Sequence, residues 1–511
     1  MAASSAQGGH DEVPHRGLIT VSVMLASIMQ ALDVTIANVA LPHIQGSLSS
    51  TQDQMSWVLT SYIVATAIMT PLSGWLAGRF GRRRIFLFSI VGFTIASAMC
   101  GISQSLPEIV IARMLQGLSG AALVPMSQAV MLDINPPERH AKAMGIWIMG
   151  ITVGPILGPA LGGWLTEHYS WRWVFFINVP VGILCFMGVA GFMHETLKTI
   201  SRFDFFGFAS LSLAIGGFQM LLDRGQANDW FSDTETWIEA IVAGLSLYMF
   251  VVHLLTTRQK PFLSPALFRD RNYLTGNVFI FIVGVVLFST LALLPPMLQG
   301  LFHYPVVLTG MVTAPRGIGT LAAMVVVGRL VGRIDSRYII IAGFAITAMS
   351  LWLMTNFYLQ MGTDQVVYSG LLQGFGTGMV FVPLTSLAFA TLAPSLRNEG
   401  TAVFSLTRNI GSSIGISVVT TLLTRNTQIM HSRLAENITP FGSSFAAATS
   451  QALQSTAGLA GIDATITRQA AMIAYINDFQ LMLLLTLCAV PLVILLRPAK
   501  PSKDAEPMIA E

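Results

Sequence analysis

The sequence predicts an all-α polytopic membrane protein with fourteen transmembrane helices, arranged six, two and six, both termini cytoplasmic. Composition, the number of apolar runs and the placement of Lys and Arg predict it. The 511 residues are 53% hydrophobic and only 10% charged, with mean hydropathy +0.66. A soluble domain carries about 25% charged residues, so most of this chain is suited to lipid. Runs near the ~20 residues that cross a bilayer fall at 18–41, 54–76, 85–105, 108–131, 143–165, 173–193, 204–222, 236–256, 274–298, 305–327, 338–357, 366–393, 401–424 and 478–497. Lys and Arg accumulate in short cytoplasmic loops. With the N-terminus inside, the cytoplasmic segments hold twenty of them, from Arg16 to Lys503, and the short outer loops hold two, Arg172 and Arg224.

The first run follows a polar tail and exceeds the 7–15 residues of a signal-peptide core, so it reads as an uncleaved span. Net charge is +3, too small to imply nucleic acid. Cys100, Cys185 and Cys488 lie in apolar runs without metal or disulfide spacing. Two internal echoes give the organisation. GWLAGRFGRRR (74–84), after span 2, returns as GRLVGRIDSR (328–337), after span 10; RMLQGLSGAALVP (113–125) returns as GLLQGFGTGMVFVP (370–383). The offsets are 254 and 257 residues, and each equals eight spans. Parallel six-span repeats of this kind are the architecture of the major facilitator superfamily. The expected organisation is a cytoplasmic tail 1–17, a six-helix bundle 18–193, two inserted helices 204–256, a second bundle 274–497 that includes an external loop 425–477, and a tail 498–511.

Asp33 lies inside the first span, where an ionised side chain facing lipid costs ~3 kcal/mol or more. It must face protein or water. Span 1 runs outward and ends near 41, so Asp33 is ~12 Å below the outer boundary; span 4 runs inward from about 108, which puts Arg113 ~8 Å below it. The two share one bundle at comparable depth and can pair. One reading is a static ion pair. The other is a proton-coupling pair, in which a nearby arginine favours the carboxylate and its departure in a dry site favours the acid.

GWLAGRFGRRR occupies a short cytoplasmic loop. Its arginines orient the chain, and Gly74, Arg79, Gly81, Arg82 and Arg83 are candidates for a conformational latch, glycine permitting the tight turn and guanidinium groups pairing with acids or helix C-termini. The segment resembles the superfamily's loop 2–3 signature, except that Gly78 stands where an Asp is usual, so a latch built on that carboxylate is not expected. In span 5, Gly150, Gly154, Gly158 and Gly162 recur every four residues, beside Gly163, and form a stripe that another helix can approach closely. Pro155 and Pro159 remove backbone donors and should bend the helix. Gln30, Asn38, Gln116, Arg316 and Arg408 are polar groups at membrane depth; they could line a substrate cavity, and ordinary interhelical hydrogen bonding is the alternative. Arg316 has no evident acid partner in its own half and is expected against a cavity, helix carbonyls or Asp33.

LDVTIANVALP (32–42), SWVLTSYIVATAIMTPLSGWLAGRFG (56–81), ARMLQGLSGAALVP, GPILGPALGGW, WVFFINVPVG (173–182) and LDRGQANDWF (222–231) together resemble the EmrB/QacA group of fourteen-span drug–proton antiporters, and the last points to its EmrB branch. The resemblance implies proton-coupled multidrug efflux of small hydrophobic or amphipathic compounds, by alternating access, from a multi-pass protein of the bacterial inner membrane. Asp33 then matches the group's span 1 acid and Arg113 its span 4 arginine, while the span 5 stripe looks like the antiporter signature that seals the interface between halves against proton leak. Partners implied are protons, the lipid bilayer, a periplasmic membrane-fusion adaptor (EmrA-like) and a TolC-like outer-membrane channel, with the loop 425–477 as a docking candidate. No G-x-x-x-x-G-K-[ST] loop occurs; the expectation is no cofactor, no metal and no enzyme activity, with the proton motive force as energy source. A dedicated exporter of one metabolite or siderophore, a proton-coupled importer, and a membrane receptor or enzyme are the alternatives.

Overall fold

A computed structural model of the chain describes residues 15–50, 52–136, 139–195, 203–225, 229–257, 261–331, 333–393, 396–436 and 456–496. The tails 1–14 and 497–511 and the centre of the long external loop, 437–455, lie outside the described residues. Helices dominate, and no strand occurs among the described residues. Thirteen helices there are long and apolar enough to cross a membrane. The expected fifth run is the helix His140–His168, some of whose side chains, those of Pro155 and Pro159 included, are outside the description.

Local chemistry accounts for the ends and breaks. Span 4 is two helices, Leu106–Gly120 and Leu123–Asp133, and span 10 is Val306–Thr313 followed by Pro315–Leu330, where the proline supplies no backbone donor to the preceding turn. Asp204 caps span 7 (Phe205–Arg224) by accepting from the Gly207 amide at 2.9 Å, and Asp270 caps span 9 (Arg271–Gly300) through the Tyr273 amide at 2.9 Å. At the Asp204 cap, burial works against the charge, but the amides of Gly207 and Phe262 and the His253 ring outweigh it and hold the carboxyl below its ordinary range.

Two expected boundaries move. Span 13 is the helix Arg397–Glu436 and span 14 is Thr456–Leu492, so the segment 425–477 adds helical extensions to both. Forty residues at 1.5 Å rise make span 13 ~60 Å long, about twice the ~30 Å hydrocarbon thickness. The extensions are tied by His431 Nε2 and Asp463 Oδ1 at 2.8 Å.

Spans 1–6 and 9–14 meet along two seams, span 2 against span 13 and span 5 against span 10. At the first, a Cβ on Gly74 would sit 3.1 Å from the Asn398 carbonyl oxygen and the Glu399 Cα, so any larger residue would press the two backbones apart by a few tenths of an ångström. Span 7 lies beside the same seam and touches both sides: Gly216 faces Ile68 of span 2, and Gln219 Nε2 donates to Ser413 Oγ of span 13 at 2.8 Å. Span 8 (Thr234–Thr256) packs on span 7 and leaves Ile238, Ile241, Leu245 and Tyr248 exposed, an apolar face suited to lipid.

Candidate functional site: a sealed carboxylate and its incomplete counterpart

Asp33 is 1% exposed and Arg113 is 1% exposed. Arg113 Nη1 donates to Asp33 Oδ2 at 2.7 Å, and Asp33 Oδ1 accepts from Gln116 Nε2 at 2.8 Å and from Asn178 Nδ2 at 2.7 Å. The arginine is held in turn: Nε donates to the Val58 carbonyl at 3.2 Å, Nη1 also to Gln116 Oε1 at 2.8 Å, and the guanidinium lies 4.2 Å from the Tyr62 ring centroid. Asn178 is oriented by Ser97 Oγ at 2.9 Å, which donates to the Phe175 carbonyl. Five spans of the first half thus contribute, and every donor to the carboxylate comes from that half. Such a buried charge pair is tolerated because its lone pairs are satisfied; removing one partner leaves the other exposed to the full desolvation cost.

The expected pairing of Asp33 with Arg113 is therefore present. Gln116 belongs to it and is fully buried, its side-chain amide taken up by Asp33 and Arg113. Asn178 was legible only as a polar residue in the apolar run WVFFINVPVG, and Val58, Tyr62 and Ser97 carried no signal of their own.

Arg316 does not reach Asp33, whose oxygens are already occupied. It is buried in the second half and donates through Nη2 to Gln373 Oε1, while Gln373 Nε2 donates to Thr290 Oγ1 at 3.0 Å. The offset of 257 residues in span 4 makes Gln373 the counterpart of Gln116, and Gln373 donates to Thr290 of span 9 as Gln116 donates to Asp33 of span 1, which makes Thr290 the structural counterpart of the acid. Arg113 corresponds to Gly370, and at the offset of 254 Tyr62 corresponds to Arg316. A Cβ on Gly370 would contact Arg316 at 3.9 Å, so the arginine of the second half approaches from the neighbouring span over a position where the first half has its own arginine. The repeat keeps the glutamine, moves the cation and loses the acid. Of the other polar groups, Gln30 is buried, Asn38 is exposed, and Arg408 is half-buried with no acid at ion-pair distance among the described residues.

The span 5 stripe faces span 1, within its own half. A Cβ on Gly154 would meet the Leu32 amide and Ala31, one on Gly158 would meet the Thr35 side chain, and Gly150 and Gly162 face Met24 and Ile36. Thr35 Oγ1 donates to the Gly154 carbonyl at 3.2 Å. These glycines bracket Asp33 and fix its helix. Contact with the other half is made elsewhere on span 5, at Gly145 against Met324; the stripe itself is covered by span 1, a correction to its expected place between the halves. Gly163 is buried, and its carbonyl accepts from Thr166 Oγ1 at 2.9 Å.

The cytoplasmic loop forms contacts across the halves. Arg82 Nη1 donates to Asp133 Oδ2 at 2.5 Å, Arg82 Nη2 to Asn398 Oδ1, and Arg397 Nη1 to Asp133 Oδ1 at 3.1 Å. Asp133, at the inner end of span 4, supplies a carboxylate that Gly78 cannot. Gly81 adopts φ +98° against the Glu195 carboxylate, which accepts from the Arg83 amide at 3.1 Å, and Arg83 Nη2 donates to the Ala190 carbonyl. Arg79 is exposed and stands apart from this set.

The model of the Major Facilitator Superfamily matches residues 23–416. The multidrug export protein EmrB of Escherichia coli (strain K12) is 36% identical over 427 residues, 83% of each chain. The fatty acid resistance protein FarB of Neisseria gonorrhoeae is 35% identical over 486 residues, 94% of this chain and 96% of that one. Among solved structures, the human organic anion transporter MFSD10 (TETRAN) shares the fold at TM-score 0.58 and 14% identity, over 93% of this chain and 100% of that one. With its repeats, its helical spans and these relatives, the chain belongs to the Major Facilitator Superfamily.

Proposed function

We propose that this chain is a proton-coupled multidrug efflux transporter of the bacterial inner membrane, exporting small hydrophobic or amphipathic compounds by alternating access. The observation that carries it is the Asp33 carboxylate, sealed by Arg113, Gln116 and Asn178 inside one half of a two-half transporter. A charge held this way is stable only while its donors stay in place. A rearrangement within the first half that loosens span 1 from span 4 during the transport cycle gives the carboxylate reason to take a proton, and re-sealing expels it. One proton entering down 100 mV supplies ~2.3 kcal/mol, and at ~1.4 kcal/mol per decade that sustains a gradient near fifty-fold. The relatives named for multidrug export support the substrate class. FarB, named for fatty acid resistance and similar over 94% of this chain, favours a second reading, a narrower range of amphipathic carboxylates.

The chain then serves as the inner-membrane part of a tripartite pump, with a membrane-fusion adaptor and a TolC-like channel, and the helical extensions of spans 13 and 14 as the docking surface. Reconstituted protein under an imposed pH gradient, acid on the outer face, should drive a lipophilic cation dye towards that face; movement in the opposite sense would identify an importer. Removing the segment 425–477 should abolish export across the whole envelope while sparing transport in proteoliposomes, and loss of both would argue against docking. A panel containing lipophilic cations and long-chain fatty acids separates the two substrate readings.

A further inference from the structure

Asp478 lies on span 14, within the apolar window Gly458–Leu495, and is 1% exposed. Neither carboxylate oxygen has a hydrogen-bond donor among the described residues, and no cation there is at ion-pair distance. Spans 9, 11 and 13 pack around span 14, and among the described residues none of them places a cation at ion-pair distance from Asp478; Tyr475, on the preceding turn, is a titratable neighbour close enough to feel its charge. Its place in the repeat is informative. Thr290, the counterpart of Asp33, donates to Met482 Sδ at 3.6 Å, and Asp478 is one turn from Met482 towards the outer end of span 14. The second half has lost the acid from span 9 and carries one on span 14, a turn further out.

The two acids are housed in opposite ways. Asp33 has a guanidinium and two amide donors, an environment for a carboxylate. Asp478 has none, and an ionised carboxylate there would cost several kcal/mol. The structure accommodates Asp478 as the neutral acid, in a conformer whose cytoplasmic ends are tied together by Arg82, Asp133, Arg397 and Asn398. That is the conformer a proton from outside must load. We propose that Asp478 is a second proton-carrying group of the transport cycle, loaded while the cytoplasmic side is closed and released when the packing around span 14 opens to water. The step is simple protonation: Asp478 Oδ gains a proton from outer water, and returns it to cytoplasmic water.

The inference rests on the proton-coupled reading above, and the proton-to-substrate ratio separates the two. In proteoliposomes with a lipophilic cation dye as substrate, the ratio is read from the membrane potential at which flux reverses. Asp478→Asn, which keeps size and removes titration, should lower the ratio by about half, as one of two carried protons is lost, with dye flux persisting. An unchanged ratio in this variant beside a coupled wild type overturns the inference alone; absence of any substrate-driven proton movement in wild type overturns the reading beneath it. Infrared difference spectra of Asp33→Asn protein, with and without dye, give a second readout that needs no change at Asp478. A substrate-dependent carboxylic C=O band should survive the loss of Asp33, and its absence overturns the inference.

Discussion

Among the described residues the donors that hold Asp33 serve no other acid, and this makes the site sensitive to single changes. Arg113→Met leaves the carboxylate buried with two neutral donors; removing one partner of such a pair costs ~3–5 kcal/mol. The double variant Asp33→Asn/Arg113→Met should regain most of that stability in thermal unfolding of purified protein, yet remain uncoupled. If the single variant is as stable as wild type, the pair is not the buried anchor described here. Asn178→Ala should cost less, about 1.5–3 kcal/mol for a hydrogen bond to a charged group. At this scale the sequence exposed the expensive members of the site. A charge in an apolar run is visible because its cost is intrinsic to the residue, as with Asp33 and Arg113. The value of Asn178, Ser97 and the Val58 carbonyl comes from where other spans bring them, and no local pattern encodes that. Asp478 escaped for another reason: the hydropathy run begins at 478, so the acid reads as a boundary residue, whereas the helix starts at Thr456 and buries it.

Helix packing is where small residues carry information. The four-residue spacing in span 5 predicts a close-approach face, and the structure has one; its partner, span 1, follows from tertiary arrangement that spacing cannot give. Gly158→Val should push against Thr35 and cost ~1–3 kcal/mol as overpacking, with loss of transport, because span 1 carries Asp33. Gly191→Ala in span 6, where a Cβ meets nothing within 4 Å, should leave both unchanged. Equal tolerance at the two positions in thermal unfolding and dye transport would contradict the packing described. Capping gives a pH-dependent case outside the membrane. The folded carboxyl of Asp204 titrates below its unfolded value of ~3.9. Its stabilisation is therefore present above that value and lost as pH falls through the folded one. Asp204→Asn should lower the unfolding temperature at pH 7, and the gap to wild type should close as the pH drops below about 4; a gap independent of pH would mean that charge at this cap is immaterial.

For the whole molecule, loop charge and the two internal echoes were enough to order fourteen spans, because orientation and repetition are written along the chain. What they could not give is how the two halves are tied. Asp133 lies at the end of an apolar span and looks like an ordinary boundary residue, yet it joins Arg82 of its own half to Arg397 of the other. Asp133→Asn should weaken that tie by about 1–2 kcal/mol, a five- to thirtyfold gain in the population with open cytoplasmic ends. Spin-label distances between the inner ends of spans 4 and 13 should lengthen accordingly; an unchanged distribution would show that the tie does not hold the conformer. Closure of the cytoplasmic ends, a sealed carboxylate and a neutral acid further out form one cycle only if proton and substrate movements are linked through Asp33. Proton movement driven by a lipophilic cation dye in proteoliposomes, compared between wild type and Asp33→Asn, tests that link. Wild type should exchange protons for dye and Asp33→Asn should bind dye without coupled exchange, whereas full coupling in the variant would remove Asp33 from the mechanism.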